Sequence, residues 1–376
     1  MKNLHLSAIA ERAGSAEVKN ARCNLGEIMV VIMKRDASQE EIEAVIANLS
    51  AFGFNVHRSS GVNQTVLGAI GVKPGFDHRI IRGLRGVADV KRVTEAYKLA
   101  SRAGRNAPTV VDVGGLRIGG RSITVMAGPC SVESEEQIKA TTAQVASHGA
   151  SLFRGNILKP RTSFYEFYGV EEGRLELIRQ AADKGDLKVA IEVTDVARLD
   201  MMSEYADILQ VGARNMQNFE LLRALGASNK PILLERGLSA TIEEWLMSAE
   251  YVMRCGNTQI ILCERGIRTF ETATRYSLDL SAVSVVKAKS HLPVFVDPCR
   301  STGMRNYIIP LARAAVAAGA DGIMVDVHHD PANVSGAGLS ALNFDQFAEL
   351  IVQIREVAKV VGRSLTEGGE TNGLRQ

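Results

Sequence analysis

Short apolar runs, separated by stretches in which apolar and polar residues alternate with helical spacing, give this chain two successive rhythms. The first begins at Glu27–Met33 (EIMVVIM), a run that predicts a buried strand. Ser38–Ser50 follows with a helix pattern: Ser38 caps, Glu41 lies three residues on, and Ile42, Val45, Ile46 and Leu49 share a face. Asn55–Ser59, Thr65–Val72 and Val87–Val93 predict strands, with a helix at His78–Leu84. The order β-α-β-β-α-β is the ferredoxin-like pattern, a small α+β module whose fold assigns no function by itself.

The second rhythm starts near Ile123. Eight strands are predicted at Thr124–Ala127, Ser151–Arg154, Lys188–Val193, Ile208–Val211, Pro231–Leu234, Gln259–Leu262, Pro293–Val296 and Gly322–Val325. Amphipathic helices fall between them at Ser134–His148, Arg174–Lys184, Asp195–Glu204, Asn215–Leu225, Thr241–Arg254, Leu278–Lys289 and Asn306–Ala318, and Phe344–Val361 closes the series. Eight evenly spaced βα units predict a (β/α)8 TIM barrel in preference to a doubly wound sheet. The expected organisation is α/β, with a leader (1–26), a ferredoxin-like domain (27–100), a connector (101–122), the barrel (123–362) and a polar tail (363–376).

A barrel of this kind carries its chemistry at the C-terminal ends of the strands. Those ends supply Cys130; Arg154 with Lys159 and Arg161; Glu192; Arg214; Glu235 with Arg236; Glu264 with Arg265; Asp297 with Arg300; and Asp326 with His328. Any one loop charge is ordinarily solvated, but charged groups after almost every strand predict a site on this face.

Composition narrows the class without naming the chemistry. The 376 residues are 46% hydrophobic and 23% charged, with a net charge of +2, so neither a nucleic-acid partner nor a membrane surface is implied. No apolar run is long enough for a transmembrane helix, and the first residues lack a signal-peptide core. The five cysteines are scattered, without CxxC or zinc spacing, as expected of reduced thiols in a cytoplasmic protein.

The segments AGPCSVES, LFRGNILKPRTSFY, QVGARNMQNF, CGNTQIILCERGIRTFE, SHLPVFVDP and VDVH carry a resemblance to the 3-deoxy-D-arabino-heptulosonate 7-phosphate (DAHP) synthase family, in the form with an N-terminal ferredoxin-like regulatory domain. The resemblance implies condensation of phosphoenolpyruvate with erythrose 4-phosphate, assisted by a divalent metal such as Mn2+. It implies that Arg154, Lys159, Arg214 and Arg265 contact phosphoenolpyruvate, and that Arg161, Thr162 and Ser163 face the aldehyde phosphate; arginine forks suit both carboxylate and phosphate. It also implies a homo-oligomer, a tetramer by analogy, and an aromatic amino-acid effector for the N-terminal domain.

The chain departs from the family where the metal should sit. Cys130 is present, but Arg300 stands in the position of the family's histidine, and a guanidinium has no lone pair for a metal. Asp326 replaces a glutamate, and Ala337 stands where the last aspartate is expected, leaving Cys130 and Asp326 as an incomplete metal site. Glu235 replaces a lysine that contacts phosphoenolpyruvate, and a carboxylate there repels a phosphate.

These departures predict that Arg300 takes the metal's place, pairs with Glu235 across the mouth and polarises a carbonyl. His328 and His329 offer either a replacement metal ligand or, at His328, an acid–base group. Glu192 and Asp297 are candidates for orienting substrate or moving protons, and Cys263 for the core. Three functions remain open: the family reaction on a phosphoenolpyruvate or oxo-acid donor with weakened or no metal dependence; a metal-independent relative with a different substrate; and a non-catalytic binding paralogue, against which retention of both cationic clamps argues.

Overall fold

A computed structural model of the chain describes residues 27–60, 65–72, 76–93, 97–155 apart from 104 and 106, 172–332 and 340–366. Lys159, Arg161, Thr162, Ser163 and Ala337 therefore lie outside the described residues. Contacts divide the chain into two compact units, meeting between Glu95 and Ala96.

In the first unit, β1 (Glu27–Met33), β2 (Asn55–Ser60), β3 (Thr65–Val72) and β4 (Val87–Val93) form an antiparallel sheet in the order β2-β3-β1-β4. Alternation along β1 turns Met29, Val31 and Met33 toward Ile42, Val45 and Leu49 of the helix Gln39–Ala51. That helix starts with a reciprocal Ser38–Glu41 capping box. The second helix is one turn, Arg79–Arg82, shorter than its apolar spacing predicts; Gly83 follows it at once. This is the ferredoxin-like fold.

The second unit is a closed barrel. Strands β7 (Ser122–Gly128), β8 (Leu152–Arg154), β9 (Lys188–Glu192), β10 (Ile208–Val211), β11 (Ile232–Glu235), β12 (Ile260–Glu264), β13 (Val294–Val296) and β14 (Gly322–Asp326) pair in sequence order, and β14 closes on β7. Every one of these pairings is parallel. Residues of one parity, among them Val125, Phe153, Ile191, Leu209, Leu234, Leu262 and Val296, pack against the surrounding helices. Helix starts are fixed locally, by Thr241 with Glu244 and Asn343 with Gln346 as capping boxes and by Ser134 through the Gln137 N–H.

The opposite parity fills the barrel. Met126, Leu152, Ala190, Ile208, Leu233, Ile261, Cys263, Phe295 and Met324 make one interior cluster, and the buried Cys263 thus lies in the core. The connector contributes to this cluster with a hairpin, β5 (Val111–Val113) and β6 (Leu116–Ile118), that its short strands did not reveal in the sequence. Its neighbours Lys188 and His291 belong to the beginnings of β9 and β13, so the hairpin plugs the N-terminal end of the barrel. Gly322 leaves room for the Phe295 ring inside; a Cβ there would overlap it. Among the described residues no helix is long and apolar enough to cross a membrane.

Ile118 is fully buried in that plug. Ile118→Ala is expected to cost about 2–5 kcal/mol in denaturant unfolding, the range for a truncated core aliphatic, with ligand binding at the other end of the barrel unchanged. An unfolding midpoint equal to that of the wild type would contradict the plug.

Candidate active site at the barrel mouth

Two residues beyond each interior apolar side chain, the same inward parity reaches the C-terminal mouth. Met126 leads to Gly128, Leu152 to Arg154, Ala190 to Glu192, Ile208 to Gln210, Leu233 to Glu235, Cys263 to Arg265, Phe295 to Asp297 and Met324 to Asp326. A dry interior thus passes into a charged ring within one pleat. Gly128 belongs to this ring because a Cβ would overlap the Arg154 carbonyl oxygen.

The floor of the mouth is a buried four-charge cluster. Arg154, with no exposed side-chain surface, donates from Nη1 to Asp326 Oδ1 at 2.8 Å and lies 3.6 Å from Asp297 Oδ2. Arg300 Nε lies 3.8 Å from Asp326 Oδ2 and 3.9 Å from Asp297 Oδ2, and its side chain keeps 16% exposure. Arg300 therefore presents an edge to the mouth from above the sealed Arg154. Nε and Nη2 of Arg154 are buried donors with no hydrogen-bond partner among the described residues.

Local sequence explains why Arg300 sits there. Pro298–Thr302 forms a short helix with Pro at its first position, and the Asp297 side chain caps it by accepting the Arg300 N–H at 3.0 Å. Gly303, at φ 67°, ends it. The cap brings Arg300 over the carboxylate three residues before it.

This corrects the predicted Arg300–Glu235 pair. Arg300 turns to the nearer Asp297 and Asp326, and Glu235 acts on it only at longer range. The Glu235 carboxylate, nearly buried, accepts from Gln210 Nε2 at 2.6 Å and from the Ala213 N–H at 3.0 Å, and lies 3.7 Å from Arg265 Nε. Arg265 is set over the Tyr276 ring, 5.1 Å from its centroid. Arg214 donates to Glu192 at 2.5 Å. Gln210 was missed in the sequence; its inward position, two residues after Ile208, is the signal that could have found it.

Arg236 is not brought into the mouth. One residue past Glu235, it has the other parity, and its Nη1 donates to Glu264 at 2.8 Å and to Asp279 at 2.9 Å. Its Nε donates to the Ala240 carbonyl, so its donors tie loops together outside the barrel. Glu264 likewise faces outward, accepting from Arg236 and from the Gly266 N–H. The structure thus corrects the grouping of Arg236 with the charged residues of the site face.

Burial and charge set the protonation states. Burial alone would lower the pKa of Arg154 and Arg300; neighbouring Asp326 and Asp297 outweigh it and hold both guanidiniums protonated. Cys130, nearly buried, lies within electrostatic reach of both. Burial pushes Asp297 up to about 6, against the pull of Arg154 and with the help of Asp326. Burial also raises Glu192, followed by the nearby Glu235 carboxylate.

His328 accepts the Asp330 N–H at Nδ1, which leaves Nε2 to carry the proton of the neutral ring. That Nε2 is buried without a hydrogen-bond partner, 3.9 Å from Glu133 Oε2. Burial, and then the His329 ring stacked at 4.4 Å, lower the pKa of His328 and keep it a neutral donor.

The donors present do not fit a divalent metal. One oxygen of Asp326 receives a hydrogen bond from Arg154 and the other faces Arg300, so a cation held by Cys130 and Asp326 would sit against two guanidiniums. Neither histidine completes the set: among the described residues no group of three or more His, Cys, Asp or Glu is placed to hold a metal.

The folded pKa of Asp297 lies above its unfolded value near 3.8, so the folded state retains an extra proton between about 4 and 6. Its contribution is fully present at the acid end and lost as pH rises through about 6. The stability of the wild type relative to Asp297→Asn should therefore fall across that window and level off above it, as read from denaturant midpoints. A difference that rises with pH would contradict the assignment.

The family description "DAHP synthetase I family" matches residues 108–362, and "DAHP synthase ferredoxin-like domain" matches residues 29–95. Over 334 residues the chain is 45% identical to the phospho-2-dehydro-3-deoxyheptonate aldolase of Thermotoga maritima, covering 89% of this chain and 99% of that protein. A crystal structure of the Thermotoga maritima protein superposes with a TM-score of 0.72 at 44% identity, covering 90% of this chain and 99% of that one. A 2-dehydro-3-deoxyphosphooctonate aldolase of Alkalilimnicola ehrlichii is 28% identical over 280 residues, 69% of this chain and 100% of its own. With its ferredoxin-like domain and closed barrel, the chain belongs to the DAHP synthetase I family and is an enzyme of that aldolase-type transferase class.

Proposed function

We propose that this chain forms a carbon–carbon bond between a three-carbon enol-phosphate or 2-oxo-acid donor and a phosphorylated aldehyde, without a divalent metal. The product class follows the activity for which the Thermotoga maritima relative is named. The observation that carries the metal-free reading is the Arg300 guanidinium, held by Asp297 and Asp326, within electrostatic reach of Cys130 and 16% exposed.

In this reading the donor C3 attacks the aldehyde carbon and the carbonyl π pair moves onto oxygen, which takes up a proton; from an enol phosphate solvent water adds at C2 and phosphate leaves, and from a 2-oxo acid C3 first gives up a proton to a carboxylate of the mouth such as Glu192. Arg300, a fixed and permanently charged donor, stabilises that oxygen with no change of protonation. Arg154, sealed beneath Arg300, serves by holding Asp326 in place. His328 Nε2–H adds a neutral hydrogen bond, and Asp297 serves by positioning Arg300. Lys159, with Arg161, Thr162 and Ser163, is assigned to the anionic groups of the substrates by family resemblance. The N-terminal unit is assigned a regulatory role toward a small effector, an aromatic amino acid, on the same ground.

The test is condensation with erythrose 4-phosphate, with phosphoenolpyruvate or pyruvate as donor, in chelator and in added Mn2+. Turnover indifferent to both is expected, together with a loss of about 10²–10³-fold in kcat for Arg300→Met, the usual cost of removing one donor to a developing oxyanion. Turnover abolished by chelator and restored by Mn2+ would overturn the reading.

A further inference from the structure

We infer that Met216 is a positioning residue for the reaction: its thioether ties the loop after β11 to the loop after β10, and the tie fixes where the Arg214 guanidinium stands at the mouth. The inference rests on the reading that an anionic donor reacts at this mouth, and it names a residue that reading does not use.

The tie is a hydrogen bond of an uncommon kind. The buried Gly237 N–H donates to Met216 Sδ at 3.1 Å, and Met216 keeps only 2% exposure. A thioether is a weak acceptor, but a buried N–H with no acceptor is costlier still. Leucine would fill nearly the same space and offer that N–H nothing. The absence of a side chain at Gly237 lets the two loops close up. A Cβ there would stand 3.2 Å from the Ala240 Cβ, 3.5 Å from the Met216 sulfur and 3.6 Å from the Ala213 carbonyl oxygen.

The place of the bond in the fold gives it a consequence. The loop after β10 is a single 3-10 turn, Ala213–Asn215, closed by the Met216 N–H on the Ala213 carbonyl at 3.3 Å. At its start the Ala213 N–H donates to Glu235 Oε2 at 3.0 Å; at its end Met216 takes the Gly237 N–H. Both ties reach one segment, Glu235–Gly237, and Arg214 lies between them. Its side chain is 48% exposed and is held by Glu192 through Nη2. A Cβ on Gly212 would overlap Glu192 Oε1, so the carboxylate that holds Arg214 lies against the same turn. A long, half-exposed cation of this kind is aimed by where its backbone stands, and a shift of about half an ångström is enough to spoil a binding geometry. Released from the sulfur, the turn would keep one anchor of two.

Calorimetric titration of the full-length protein with phosphoenolpyruvate and with pyruvate tests this, beside denaturant unfolding of the same samples. Met216→Leu is expected to fold and to weaken binding of whichever donor the wild type takes by about fivefold, the ratio that one net hydrogen bond sets. Met216→Gln, which places a carbonyl oxygen near the position of the sulfur, should recover most of that affinity. Met202→Leu is the control, since Met202 is as deeply buried in the same core and holds no loop of the mouth; its affinity should equal that of the wild type. Unchanged affinity in Met216→Leu, an equal loss in Met202→Leu, or a Met216→Leu chain that does not fold would make Met216 a packing residue and overturn the inference. Binding of neither donor by the wild type would overturn it too. If Met216→Gln does not fold, the comparison of the two leucine variants decides. Binding is read without turnover, so condensation that proves to need Mn2+ would sink the metal-free reading and leave this comparison standing.

Discussion

Two guanidiniums buried side by side at the floor of a barrel are tolerable only if two carboxylates are buried with them. Arg154 and Arg300 meet that condition through Asp297 and Asp326, each of which faces both cations. Stripping one carboxylate from such a cluster leaves an unmatched charge at a cost of about 3–5 kcal/mol. The arrangement is therefore rigid, and its rigidity has a chemical consequence. A permanently charged guanidinium is held over two carboxylates, at the position where the family resemblance implies a metal-ligating histidine.

The same matching of charge runs around the rest of the mouth. Glu192 answers Arg214 and Glu235 answers Arg265, so the described ring is close to neutral even though it is crowded with charge. A crowded neutral ring differs from a cationic one in what it admits. On the proposed reading, the Arg300 and Glu235 departures are two parts of one redistribution of charge.

Much of this was legible in the sequence because barrel strands obey a parity. The apolar runs located all eight strands to within a residue or two at most ends, and charges after almost every run marked the mouth. Parity also separates neighbours that sequence reading had grouped: Glu235 points in and Arg236 points out. The pairing of Arg300 was not legible. It depends on a five-residue helix whose Asp-Pro start reads equally well as a loop, and on a cap that draws Arg300 over Asp297 ahead of the more distant Glu235. The hairpin of Val111–Ile118 escaped for a related reason, since three-residue strands carry too few positions for a period to show.

The central claim is that a guanidinium stands where a divalent ion would otherwise be bound. Equilibrium dialysis of the purified full-length protein against Mn2+, with metal counted per chain, tests it most directly. The charge arrangement predicts no stoichiometric Mn2+ in the wild type and a gain of binding when Arg300→His removes the fixed cation and supplies a nitrogen ligand beside Cys130 and Asp326. One Mn2+ per wild-type chain, lost on Cys130→Ser, would contradict it.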